Sequence, residues 1–204
     1  MSQQELASAA ADLGIGVEAS IGTPAFFGVV PTEAEGTAHA ASMIGQGEIL
    51  VSPLALATMA ASVGKGARVT PTVLAGGQDD ASPSDSAPSA SPSPSSGPSE
   101  DASKSTNAPA KPSKLTAEEA ATLRTLMRAV VTEGGAGMLA GVPGEPVHAK
   151  TGTAEFGSET PPRTHAWIVA LQGDLAVAVF VEEGELGSTS GGPLMEAFLR
   201  GAGS

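Results

Sequence analysis

Apolar residues fall at helical spacing near the start of the chain, where Leu6, Ala9, Ala10 and Leu13 share one face. Ser2-Gln3-Gln4-Glu5 ahead of them has the form of a capping box, and Gly14 is a stop signal. Gly14 to Gly36 has no period and predicts turns with at most a minor strand; Thr37 to Met43 is Ala-rich and ambiguous. Ser52 and Pro53 then suit the N-cap and first position of a helix. In it Leu54, Leu56, Ala57, Met59, Ala60, Ala61 and Val63 are apolar nearly all round, as in a buried helix, with Gly64 and Gly66 as its stop. Val69 to Leu74 predicts a short extended piece. A second capping box, Thr116 with Glu119, starts a helix whose inner face is Ala120, Leu123, Leu126, Met127, Val130 and Val131, ending at Gly134-Gly135. His148 to Glu155 predicts a strand, followed by a loop from Phe156 to Arg163. The apolar runs Ala166 to Leu171 and Leu175 to Val181, with Gly173-Asp174 between them, predict an antiparallel hairpin. Gly191-Gly192-Pro193 opens a last helix with Leu194, Phe198 and Leu199 facing inward. The pattern as a whole predicts a mixed α/β (α+β) fold, an antiparallel sheet with helices packed on it.

One stretch breaks the pattern. Residues 78–113 are dominated by Ser, Pro, Ala and Asp and hold no Leu, Ile, Val, Met or aromatic residue. Such a segment cannot bury enough apolar area to offset the entropy of ordering, so it predicts a disordered surface insertion. Residues 1–77 and 114–204 are then two parts of one domain.

Composition narrows the chemistry. At 41% hydrophobic but 3% aromatic, the core must be built from Ala, Val, Leu and Ile. A net charge of -12 argues against a nucleic-acid or anionic-membrane partner. No cysteine is present, which removes disulfides, thiolate metal sites and Cys nucleophiles. His39, His148 and His165 are too scattered for a metal-ligand spacing, and neither metal nor cofactor is expected. There is no apolar run long enough to span a bilayer and no signal-peptide pattern at the start.

The candidate chemistry is Lys150-Thr151-Gly152-Thr153 at the head of the first strand. Lys150 offers positive charge to a substrate carboxylate, and the hydroxyls of Thr151 and Thr153 offer it hydrogen bonds. Gly152 lets a ligand or another backbone approach closely. Lys-Thr-Gly on a strand is one of three motifs found together in serine-based penicillin-recognising enzymes.

In sum, the chain resembles the C-terminal half of the transpeptidase domain of penicillin-binding proteins, the enzymes that cross-link cell walls. The resemblance is carried by Gly45-Gln46-Gly47 leading to Ser52-Pro53, Thr116 to Glu133, Lys150 to Glu155, His165-Ala166-Trp167, Leu175 to Glu182 and Gly191-Gly192-Pro193. It implies a partial β-lactamase/transpeptidase-like fold and Lys150 as a catalytic residue. It also implies that Thr151, Gly152 and Thr153 bind substrate and that the Thr153 N–H is an oxyanion donor. The ligands implied for a full-length parent are the peptidoglycan stem peptide or a β-lactam, with other cell-wall synthesis proteins as partners. That parent is expected outside the cytoplasmic membrane on an N-terminal anchor.

The family's catalysis also requires a Ser-x-x-Lys that forms an acyl-enzyme and then a Ser-x-Asn. By resemblance both belong ahead of Met1, so this chain is expected to lack the nucleophile and to be inactive alone. Ser62-Val63-Gly64-Lys65 and Ser105-Thr106-Asn107 match the two patterns in the right order. Ser62 nevertheless sits at the wrong end of its helix, with Gly64 expected to break the helix before Lys65, and the second triplet lies in the Ser/Pro tract. The rival readings are a non-catalytic peptide-binding module, a serine β-lactamase relative, and an incomplete gene product. The last predicts exposed apolar surface on the Leu54 to Val63 helix.

Overall fold

The computed structural model describes residues 1–73 and 112–203. The predicted insertion over 78–113 lies outside them except for Pro112 and Ser113, as does Ser105-Thr106-Asn107. The elements run α1 (Gln3–Asp12), α2 (Gly36–Ser42), α3 (Pro53–Lys65), α4 (Ala117–Thr132), β1 (His148–Phe156), β2 (Arg163–Gln172), β3 (Leu175–Val181) and α5 (Gly192–Ala202). A 3-10 turn, Gly137–Gly141, and a π-type turn, Gly187–Gly191, precede β1 and α5. The described part of the expected extended piece, 69–73, forms no strand. No helix among the described residues is long and apolar enough to cross a membrane.

Local chemistry sets most of the boundaries. Ser2 with Glu5 and Thr116 with Glu119 each form a complete reciprocal capping box. The Ser52 hydroxyl accepts from Ala55 N at 3.1 Å, and Pro53 fills the first turn of α3. Gly173, at φ 59°, makes the tight connection from β2 to β3.

The sheet is antiparallel in the order β1-β2-β3. The register sets Lys150 opposite Val169, Thr151 opposite Ile168, Gly152 opposite Trp167 and Thr153 opposite Ala166. Strand alternation divides the core into two layers. Ala149, Ile168 and Ala170 pack with Leu139, Met195 and Leu199 on the α5 face. Val169 and Leu171 pack with Ala60, Val63 and Met127 on the α3 face. Helix α4 contributes to both layers, through Val131 and Met127, and lies against the start of β1.

Three expectations are corrected. Gly64 does not break α3, which runs on to Lys65 and ends at Gly66 in the left-handed region. A Cβ on Gly64 would lie 3.3 Å from Leu171 Cδ2, so this glycine permits close packing on β2. In α5 the inward residues are Met195 and Leu199, while Leu194 and Phe198 are exposed. The buried series begins at Gly192 and recurs at Met195 and Leu199, a phase fixed by the preceding π-type turn. In α4 Leu126 is 60% exposed, because the inward stripe passes through Ala120, Met127 and Val131. Leu54 to Val63 are all buried or half-buried against the sheet and α4. Among the described residues, Phe26, Val29, Met43, Ile44 and Leu50 are exposed.

Candidate functional site

β1 is an edge strand, and its outer edge carries Thr151 and Thr153. The carbonyl of Thr153 accepts Gln46 Nε2 at 2.8 Å, and the carbonyl of Thr151 accepts Lys150 Nζ at 2.6 Å. Both carbonyls thus receive side chains on the side of β1 away from β2. In an antiparallel strand the N–H and C=O of one residue point the same way, so the N–H groups of Thr151 and Thr153 face this outer edge too.

The side chains divide between the two faces. Thr151 and Thr153 lie on the α5 face and are half-buried; Lys150 lies on the α3 face and is exposed. The Lys150 stem bends so that its ammonium returns to the strand edge at the Thr151 carbonyl. Gly187 N donates a long 3.4 Å bond to Thr153 Oγ1, which leaves the Thr153 hydroxyl proton as a donor. Ser188 lies near Thr151: a Cβ built on Gly135 would sit 3.8 Å from Ser188 Cβ and 3.9 Å from Thr151 Oγ1.

The close backbone approach expected at Gly152 does occur, but the glycine that makes room is Gly187. A Cβ there would overlap the Trp167 carbonyl and lie 2.6 Å from the Gly152 carbonyl. Gly152 itself has ordinary space, since its Cβ would meet Trp167 Cβ at 3.5 Å. On the α3 face beside it, Phe156 stacks on His165 with centroids 3.8 Å apart, and Trp167 packs on Phe180 at 4.2 Å. Arg163 lies over the Phe156 ring at 4.5 Å.

Sequence reasoning gave Gln46 no role, although it singled out Gly45-Gln46-Gly47. Gly45 and Gly47 take φ of 78° and 76°, conformations that favour glycine, so the flanking residues make the loop that presents Gln46 to β1. Gln46→Ala is expected to loosen this edge by about 1 kcal/mol. Hydrogen exchange of residues 151–155 should be about five-fold faster, and unchanged exchange would show that the bond carries no weight.

Ser62 is fully buried. Its hydroxyl donates to the Thr58 carbonyl at 2.9 Å and accepts Val69 N at 3.0 Å. Its role in the fold is to tie the end of α3 to the chain that leaves it, while Lys65 is exposed. His148, two residues before Lys150 on the same face, is held below the usual histidine range by burial first, then by Arg128 and Arg124. A hydrogen bond to the Pro146 carbonyl pulls the other way.

The fold, a helix-backed antiparallel sheet with an open edge strand, is that of penicillin-binding-protein transpeptidase domains. It is similar to a peptidoglycan glycosyltransferase from Burkholderia ambifaria, 22% identical, with a TM-score of 0.68 over 99% of this chain and 56% of that one. It is also similar to the TP domain of Burkholderia pseudomallei penicillin-binding protein 3 in its apo form, 23% identical, TM-score 0.68, over 98% and 56% of the two chains. PBP2 of Helicobacter pylori, solved in complex with MreC, is 22% identical with a TM-score of 0.59, over 97% and 34%. The chain thus spans 56% or less of the length of these three structures. No curated protein matches the sequence. Residues 1–200 match the description "Penicillin binding protein transpeptidase domain", and the chain belongs to that family.

Proposed function

We propose that this chain supplies the substrate-carboxylate wall of a D,D-transpeptidase-type site in peptidoglycan synthesis, and that it does not form an acyl-enzyme by itself. The observation that carries the reading is the outer edge of β1. There the Thr151 and Thr153 backbones face outward, their hydroxyls share one face, and the Lys150 ammonium folds back to the same edge. An extended peptide can add to such an edge by main-chain hydrogen bonds. Its terminal carboxylate then meets Lys150 and the two hydroxyls in charge-assisted bonds, and the Thr153 N–H, on the same edge, serves as an oxyanion donor. Residues 1–77 and 114–204 act as two parts of this one domain around the insertion at 78–113. The stem peptide or a β-lactam is the ligand class, in an extracytoplasmic parent. A scaffold of the MreC kind, seen with Helicobacter pylori PBP2, is a candidate partner.

The absence of a nucleophile is supported by the full burial of Ser62 and by its hydroxyl being occupied both as donor and as acceptor. Intact mass after incubation with a penicillin is therefore expected to show no adduct. A stoichiometric adduct mapped to Ser62 would overturn this part of the reading. For the wall, a peptide ending in D-alanyl-D-alanine should shift the amide resonances of Thr151 and Thr153 in the unmodified chain, and Lys150→Met should abolish the shifts. Shifts confined to residues away from β1 would refute the assignment.

A further inference from the structure

The chain has 10 basic residues against 22 acidic ones, yet two arginines and a histidine line one hollow. Arg124 and Arg128 lie one turn apart on α4, and with His148 at the start of β1 they wall a cavity of about 530 Å³. The hollow is open to solvent, so a small charged group can reach it. Among the described residues each guanidinium is anchored through one nitrogen. Arg124 Nη1 donates to the carbonyls of Val63 at 2.8 Å and Gly64 at 3.3 Å, and Arg128 Nη1 donates to the Val147 carbonyl at 2.7 Å. These bonds fix the two groups in place, and no other described residue bonds to Nε or Nη2 of either. Neither arginine is paired with a carboxylate among the described residues. The Thr125 and Thr132 hydroxyls, also in the wall, donate to the helix carbonyls of Ala121 and Arg128. Glu133 is the one acidic residue in the lining.

We propose that this hollow binds a phosphoryl group, as free phosphate or as a monoester, held by Arg124 and Arg128 with His148 beside them. A carboxylate is satisfied by a single guanidinium fork. Two anchored forks with unused donors, and an imidazole next to them, match a group with three acceptor oxygens. The site is distinct from the outer-edge groups of Thr151 and Thr153, although His148 and Lys150 share one face of β1. The groups facing His148 are Arg124, Arg128 and Glu133 on α4 and Lys150 on its own strand. A bound dianion offsets the arginines' repulsion, so the imidazole gains its proton more readily and becomes a third donor.

The test uses the unmodified chain with inorganic phosphate as the probe. Histidine ring resonances are followed from pH 5 to 8 with and without phosphate, at ionic strength matched with sodium chloride. Phosphate is expected to raise the His148 pKa by about one unit and to leave His39 and His165 unmoved. Arg124→Gln should remove the shift. Arg124→Lys, which keeps the charge and loses the fork, should retain only part of it. Glycerol phosphate in place of phosphate separates the sources: an equal shift assigns the site to esters, and a shift with inorganic phosphate alone assigns it to the free ion. An equal shift with acetate would overturn the phosphoryl assignment. No shift with either phosphate, or no heat of binding by calorimetry on the same chain, would overturn the site itself.

Discussion

Replacing Gly187 by alanine is expected to destabilise the chain by about 3 kcal/mol, at the upper end for overpacking a well-packed site. The added Cβ has no room, since it would overlap the Trp167 carbonyl and approach the Gly152 carbonyl to 2.6 Å and Gly152 N to 3.0 Å. These neighbours are backbone in two paired strands and cannot swing aside as a side-chain tip can. Either the turn over 187–191 lifts from the sheet or β1 and β2 are pushed apart at the Gly152–Trp167 pair. Both responses break the contact between Gly187 N and Thr153 Oγ1. Urea unfolding of Gly187→Ala beside Gly137→Ala is the measurement. A Cβ on Gly137 meets only the Val131 carbonyl, at 4.0 Å, so that variant should change stability by less than about 1 kcal/mol. Equal effects in the two variants would remove the packing explanation.

The second large effect is expected at Ile168. Its side chain is fully buried on the α5 face, in one layer with Leu139, Met195 and Leu199. In the register it lies between Thr151 on β1 and Val179 on β3. Gly191 is packed so tightly above it that a Cβ there would be 2.9 Å from Ile168 Cγ2. Ile168→Ala is expected to cost about 3 kcal/mol, from lost transfer energy plus the cavity left behind, and Ile168→Val about 1 kcal/mol. Denaturant midpoints at constant slope would check both values. Because Ile168 lies directly opposite Thr151, the alanine variant should also weaken the response to a D-alanyl-D-alanine peptide proposed for Thr151. A destabilised chain whose peptide response is intact would show that this wall does not depend on the layer beneath it.

What could be read from the sequence was local. The capping boxes at Ser2 and Thr116, the Ser52-Pro53 start and the Gly173 connection each depend on a few adjacent residues, and the structure has all of them. The paired strands followed from apolar runs joined by a tight turn. The errors came where distant packing decides. Gly64 reads as a stop by propensity, but it lies inside α3 where a side chain would crowd Leu171. The phase of α5 is set by the π-type turn before it, which no periodicity announces, and so Leu194 and Phe198 point outward. In the candidate site, the sequence reading gave Thr151 and Thr153 to one ligand, and strand alternation puts them on one face. The Gln46 bond joins residues 107 positions apart, and the Gly187 approach brings the turn before α5 onto β1 and β2, so neither leaves a trace in local pattern.

The aromatic scarcity that shaped the core also gives the protein a built-in optical probe. Trp167 is the chain's one tryptophan, and there is no tyrosine. It sits opposite Gly152 in the register and against the Phe180 ring, which also meets His165 at 5.2 Å. Its emission therefore reports the environment of the strand pair that carries Thr151 and Thr153, rather than an average over the whole chain. The ligand binding proposed along β1 can be followed at that indole without attaching a dye.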